Sequence, residues 1–247
     1  METIETGTRI FLAGASGAVG RRLTPMLVEK GHLVWGTTRS ASKAEDLKAA
    51  GATAVLVDVF DADALSATML QTRPEIVIHQ LTDLPRDLDP ALMSEAIVRN
   101  ARIRDEGTRN LVEAAKRAGA RRLIVQSIAW AYAPGSLPHD EKDPLDTGAE
   151  GPRAISVNGV IVLERQALEA PMDGVILRYG QFYGPGTGFD TPKSGASVHI
   201  DAAACAALLA VDRGAGIYNI AEPNGQVSIE RAIADLGWHA DFRRTTP

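Results

Sequence analysis

Cysteine is nearly absent. A chain whose only thiol is Cys205 cannot close a disulfide within itself, and the run around it, AAACAALLAV, is the setting of a small buried side chain rather than of a reactive nucleophile. Long apolar runs are missing too: none approaches the roughly 20 residues that span a bilayer. The opening METIETGTRI has acids where a secretory signal would be basic and then apolar. A cytoplasmic protein with no membrane partner is expected. There is no basic excess either. Lysine and arginine number 26 against 31 acids, a net charge of −5, which excludes a general binder of nucleic acid or anionic membranes. No spacing of His, Cys and Asp suggests a metal site; His79, ending an apolar stretch, and His199, in VHIDAAA, read as structural histidines. A G-x-S-x-G elbow with a later acid and histidine is also missing, which removes the common hydrolase reading. The acidic run HDEKD, residues 139–143, reads as a solvated loop.

What is present is alternation. Short β-branched runs (RIFLAG, LVWGTT, TAVLVD, EIVIHQ, RLIVQS) are separated by segments of helical period, the pattern of βαβ units around a parallel sheet. The first helical segment puts Val19, Leu23, Met26 and Leu27 on one face and stops at Gly31. A long helix is expected from about Pro90 to Gly119, with Leu111, Ala114, Ala115 and Ala118 inward. After Ser127 the stretch AYAPGSLPHDEKDPLDTGAEGP reads as a long loop of the kind used as a lid. There follow a helix over about 153–169, a strand GVILR, a second loop YGQFYGPGTGFDTPKSG, a helix DAAACAALLAVD, a strand GIYNIA and a terminal helix SIERAIADLG. With no linker or repeat, the expectation is one doubly wound α/β domain (a Rossmann fold) over residues 1–247. Residues 1–178 mainly form its dinucleotide-binding core; 179–247 mainly form a small C-terminal substrate lobe and a returning strand.

Between the first strand and the first helix stands GASGAVG, residues 14–20. Gly14 suits the tight turn, Gly17 lets backbone approach a phosphate, and Gly20 lets the helix pack closely on the sheet. The helix start, with Ser16, Ala18 and Val19, then offers free N–H groups and a positive dipole end to a pyrophosphate. Strand, glycines and amphipathic helix occur in the required order, so dinucleotide binding is expected. The second strand ends TTRS, with Arg39 where an acid would bind the ribose 2′-hydroxyl of NAD. A guanidinium pairs instead with a 2′-phosphate, which favours NADP over NAD.

In these motifs the chain resembles the extended or atypical short-chain dehydrogenase/reductases, specifically the NAD-dependent epimerase/dehydratase-like proteins. The resemblance runs through GASGAVG, Val57 and Asp58, EGTRNLVEAAKRAGARRLIVQS (106–127), LRYGQFYGPGTG (177–188) and VHIDAAACA (198–206). It implies that Asp58 and Val59 border the adenine, that Gln80 and Leu81 lie along the cofactor, and that Gly180, Gln181 and Phe182 line the nicotinamide end. It also implies a homodimer paired through the helices over about 90–118 and 153–169. Strand ends at the carboxyl edge of a parallel sheet are where ligands bind on general grounds, so the two arguments agree.

Catalysis in that family needs a tyrosine acid/base with a lysine four residues later, and a Ser or Thr on the substrate oxygen. Aligning Glu164 with the acid that usually follows the motif puts Ser156 at the tyrosine position and Val160 at the lysine position of AISVNGVIVLERQAL. Ser127 matches the first of the family's usual serine pair, Ile128 falls where its substrate-binding hydroxyl stands, and Arg104 replaces a usual Asn. The cofactor site is retained and the catalytic set is replaced. Ser127, Tyr132 and Tyr183 are the candidate catalytic hydroxyls; a core or loop-anchoring role fits Tyr132 at least as well, and a structural role fits Tyr183 better. The function expected is an NADP-dependent oxidoreductase acting on a small or medium organic substrate. The alternatives are a catalytically silent NADP(H)-binding protein and, more weakly, an epimerase or dehydratase of a sugar nucleotide. The short stretch 189–197 leaves little chain to cover so large a substrate.

Overall fold

The computed structural model describes residues 7–85, 88–193 and 195–244. The RIFLA run forms β1 (Arg9–Ala13), followed by α1 (Ala18–Glu29), β2 (Leu33–Thr38), α2 (Ala41–Ala49), β3 (Thr53–Leu56), α3 (Ala62–Thr72) and β4 (Ile76–His79). Next come α4 (Met93–Arg102), α5 (Thr108–Ala118), β5 (Arg122–Ile128), α6 (Gly151–Glu169) and β6 (Asp173–Tyr179). Two short strands, β7 (Gln181–Tyr183) and β8 (Ser197–His199), precede α7 (Ile200–Leu209) and β9 (Gly216–Ile220). The seven-stranded sheet has the order β3-β2-β1-β4-β5-β6-β9 and is parallel throughout.

Strands of such a sheet are covered on both faces, which is why they read as unbroken apolar runs. β1 divides its side chains accordingly. Ile10 and Leu12 enter one core with Leu23 and Leu27 of α1 and the alanines of α7, while Phe11 and Ala13 enter the other with Met69 of α3, Leu111 of α5 and Leu163 of α6. The chain winds outward from β1 to β3, then returns to start β4 on the other side of β1. That reversal leaves a crevice at the carboxyl ends of β1 and β4, where Ala13 pairs with His79.

Four segments differ from their sequence-based expectation. The long helix is broken: a 3-10 turn at Pro90–Leu92 leads into α4, and a π-helical turn at Ile103–Gly107 joins α4 to α5. Gly107 sits at this joint because a Cβ there would lie 3.3 Å from the Val59 side chain. The stretch after Tyr179 is more than a loop, since Gln181–Tyr183 pairs in parallel with Ser197–His199. Gly180 permits the approach: a Cβ on it would stand 2.7 Å from the Ser197 carbonyl carbon. The long stretch 131–150 is no lid over the crevice. It folds back on itself through a bridge from Tyr132 to Leu145 and is pinned down through one from His139 to Val227. The terminal helix is a short π-helical turn, Ala232–Leu236, stopped by Gly237 at φ +67°. Among the described residues, no helix is long and apolar enough to cross a membrane.

Candidate functional site

The crevice opens into a cleft of about 1770 Å³. Its inner end is the glycine turn. Gly14 adopts φ +87°, its N–H donates to Thr37 Oγ1 at 3.2 Å, and its carbonyl accepts from Gly17 N at 3.0 Å. A Cβ on Gly14 would stand 2.7 Å from the Gln80 carbonyl, and one on Gly20 would stand 2.3 Å from Gly14 O. The turn therefore closes only with glycine at both places. Gly36 of β2 supports it from beneath, since a Cβ there would come 2.9 Å from that of Ala15.

Gly14, Ser16, Gly17, Ala18, Val19, Arg39, Asp58, Val59, Gln80, Leu81, Gln181 and Phe182 all line this one cleft. Gly20 and Gly180 do not; they act behind the wall, as tight packing positions. Gln80 follows β4 and is buried, yet neither atom of its amide has a well-aligned hydrogen-bond partner. The amide is buried beside the Tyr179 hydroxyl, a polar group held in reserve behind the cleft wall. A glycine cradle at a helix start, an unsatisfied amide farther along and a cleft joining them fit a dinucleotide.

At the carboxyl end of β2, Arg39, Ser40 and Lys43 line the cleft together. Lys43 was not singled out in the sequence. The signal for it is that α2 starts with no acid in its first turn, where the helix dipole favours one. Basic side chains there suit an external anion. Arg39 is partly engaged by Asp83 at 3.9 Å, and that carboxylate is also held by Arg99 at 3.3 Å.

The far end of the cleft is formed by Asn100, Arg104, Gln126, Ile128, Trp130 and Ser156. Ser156, at the family's tyrosine position, faces the cleft, whereas Val160 is fully buried among Ile128, Ala131 and Val157. The Arg104 guanidinium donates to the Ser156 carbonyl at 3.2 Å, and burial lowers its pKa to about 10. Burial, aided by the Arg104 charge, lowers His79 to about 4, so this histidine is neutral. Its Nδ1 accepts from Leu81 N at 3.2 Å, and Nε2 lies 3.1 Å from the Thr108 hydroxyl.

The three hydroxyls expected as catalytic candidates lie outside the cleft lining. Ser127 donates to Glu164 at 2.6 Å. Glu164 also takes both prongs of Arg178, at 2.9 and 2.7 Å. Arg178 in turn donates to the Tyr132 hydroxyl at 2.8 Å, and that hydroxyl donates to Asn219 Oδ1 at 2.7 Å. Burial pushes the Tyr132 phenol upward in pKa, against the pull of Arg178. The result is a closed polar network that ties the 131–150 stretch to β5, β6 and β9. Tyr183 belongs to a separate cluster, where it donates to Glu222 and accepts from Arg243 at 3.0 Å. Across the mouth, the loop after β7 brings Gly184, Gly186, Thr187 and Phe189 to the cleft, held by Arg21 of α1 on the Gly186 carbonyl at 3.3 Å.

Known proteins share this fold. The model of the NAD dependent epimerase/dehydratase family matches residues 10–221. A 3-diazoavenalumate denitrifying reductase from a Streptomyces species is 40% identical over 227 residues, covering 83% of this chain and 72% of that protein. Among solved structures, the UDP-glucose 4-epimerase of Thermotoga maritima with UDP-glucose superposes with a TM-score of 0.77 at 20% identity, covering 95% of this chain and 94% of that one. The Bordetella bronchiseptica enzyme WbmG, in complex with NAD and UDP, gives a TM-score of 0.76 at 18% identity over 99% of this chain and 92% of its own. At such identities the structural likeness speaks for the fold.

Proposed function

This chain belongs to the NAD dependent epimerase/dehydratase family, and on that footing we propose that it is an NADP-dependent reductase of a small or medium organic substrate that needs no proton from a Tyr–Lys pair. The observation that carries the reading is the far end of the cleft, where Ser156 stands at the tyrosine position and Val160 is sealed in an apolar pocket. No tyrosine or histidine is among the residues lining the cleft.

NADPH bound along the cleft would supply a hydride. The glycine turn and the start of α1 hold the pyrophosphate. Asp58 and Val59 border the adenine, Arg39, Ser40 and Lys43 receive the 2′-phosphate, and Gln80, Gln181 and Phe182 hold the rest in place. Ser127 and Tyr132 act as positioning residues in the polar network behind the cleft, and Tyr183 does so in its cluster with Glu222 and Arg243. A carbonyl that accepts a hydride becomes an alkoxide and must then take a proton. A substrate that already carries a positive charge and a leaving group need not: an arenediazonium ion plus hydride gives the arene and dinitrogen, with charge and atoms balanced. The Streptomyces relative is named for denitrifying a diazo compound, and a substrate of that class suits a cleft lined by no tyrosine or histidine.

The test incubates the protein with NADPH deuterated at the transferable position, offering arenediazonium salts and aldehydes in parallel. Deuterium on the carbon that held nitrogen, above the no-protein control, is the expected result. Label appearing only in alcohols would replace the diazonium class by carbonyls. NADPH binding with no label in any product would remove both substrate classes and favour a silent cofactor-binding protein. Cofactor choice is read separately: Arg39→Ala should weaken NADPH binding about tenfold, a modest figure for a half-exposed charge, and leave NADH binding unchanged.

A further inference from the structure

Arg104 is a cation without an anion. It rises from the π-helical turn between α4 and α5 into the far end of the cleft. One of its N–H groups is used, on the Ser156 carbonyl, and it enters no ion pair among the described residues. Glu164 is the carboxylate whose field reaches it, but that group is already committed to Arg178 and Ser127. The position is nevertheless a built one. α6 carries Gly159 where the arginine stem crosses it, and a Cβ there would stand 3.3 Å from Arg104 Cδ. Burial makes the charge costly to hold, as its lowered pKa of about 10 records. Around it the wall is apolar, with Ile128 and Trp130 from the end of β5 and Met93 and Ile97 from α4.

We propose that Arg104 binds a carboxylate of the substrate, so that the cleft selects apolar carboxylic acids. The inference rests on the reductase reading only for placing substrate at this end of the cleft. A planar guanidinium with free N–H groups matches a carboxylate in bidentate fashion, and a single such cation neutralises one negative charge. The apolar wall takes the body of the molecule, and anchoring one end fixes which atom lies toward the hydride-transferring end.

The test titrates NADPH-loaded protein calorimetrically with benzoic, cinnamic and hexanoic acids, each against its neutral primary amide. At least one acid should bind tenfold or more tighter than its amide, about the value of a charge-assisted pair. Arg104→Gln should abolish that preference, with retained NADPH binding certifying the fold. Arg104→Lys, which keeps the charge and loses the fork, should retain part of it. Acids and amides binding alike to the wild type, or a preference that survives in Arg104→Gln, would overturn the proposal. Failure of the reductase reading looks different: no deuterium moves, while acids still bind through Arg104.

Discussion

At the scale of the residue, the hydroxyl of Tyr132 separates two kinds of role. It lies buried between Arg178 Nη1 and Asn219 Oδ1, and it stacks on His139 with ring centroids 4.9 Å apart. Tyr132→Phe would leave one donor of a buried arginine and one amide oxygen short of a partner, so unfolding free energy should fall by about 1–3 kcal/mol. A positioning role predicts that kcat/KM for the labelled reaction drops far less than a lost proton donor would cause, and that its pH profile keeps its shape. Denaturant titration and a pH–rate profile of the same variant give both answers. The tyrosine was easy to nominate from sequence because it follows Ser127 closely. Its partners Arg178 and Asn219 lie 46 and 87 residues away, and only the folded sheet brings them to it.

At the scale of the element, the turn between β1 and α1 was legible because each glycine answers a local steric demand. Gly20→Ala should test this most sharply: a Cβ placed 2.3 Å from Gly14 O forces the helix off the sheet. NADPH affinity should fall more than tenfold, with a stability loss of about 1–3 kcal/mol, measured by calorimetry and thermal melting. Unchanged affinity would mean that the turn does not hold the cofactor. The strands were equally legible, since a parallel sheet buried on both faces leaves continuous apolar runs. The break in the helix after Pro90 was not. Both halves keep helical period, and the widened turn at Ile103–Gly107 lies where Gly107 meets Val59 from a distant part of the chain. The β7–β8 pairing escaped notice for a similar reason, being only three residues long on each side. The 131–150 stretch has the composition of a lid, yet its tethers, His139 N to Gln226 O at 3.0 Å and Asn219 N to the Glu141 carboxylate at 2.8 Å, are long-range.

At the scale of the whole molecule, His79 couples global stability to acidity. Its pKa is about 4 in the folded protein against 6.5 as the reference for the unfolded chain. Between those values the unfolded chain binds the extra proton, so the contribution is complete above pH 6.5 and is lost as pH falls toward 4. A difference of that size is worth on the order of 3 kcal/mol. Urea unfolding across this range should show His79→Gln losing less stability on acidification than the wild type; parallel curves would refute the assignment. The same fully enclosed interior shapes how such a protein can change over generations. A lysine arriving at position 160 would lodge its ammonium among Ile128, Ala131 and Val157, one residue from the glycine that the Arg104 stem crosses. An unpaired charge buried there costs several kcal/mol, a large part of what holds a domain together. The apolar seat of Val160 therefore admits a lysine only together with changes in the side chains around it, so that this one position locks the chemistry of the whole cleft wall.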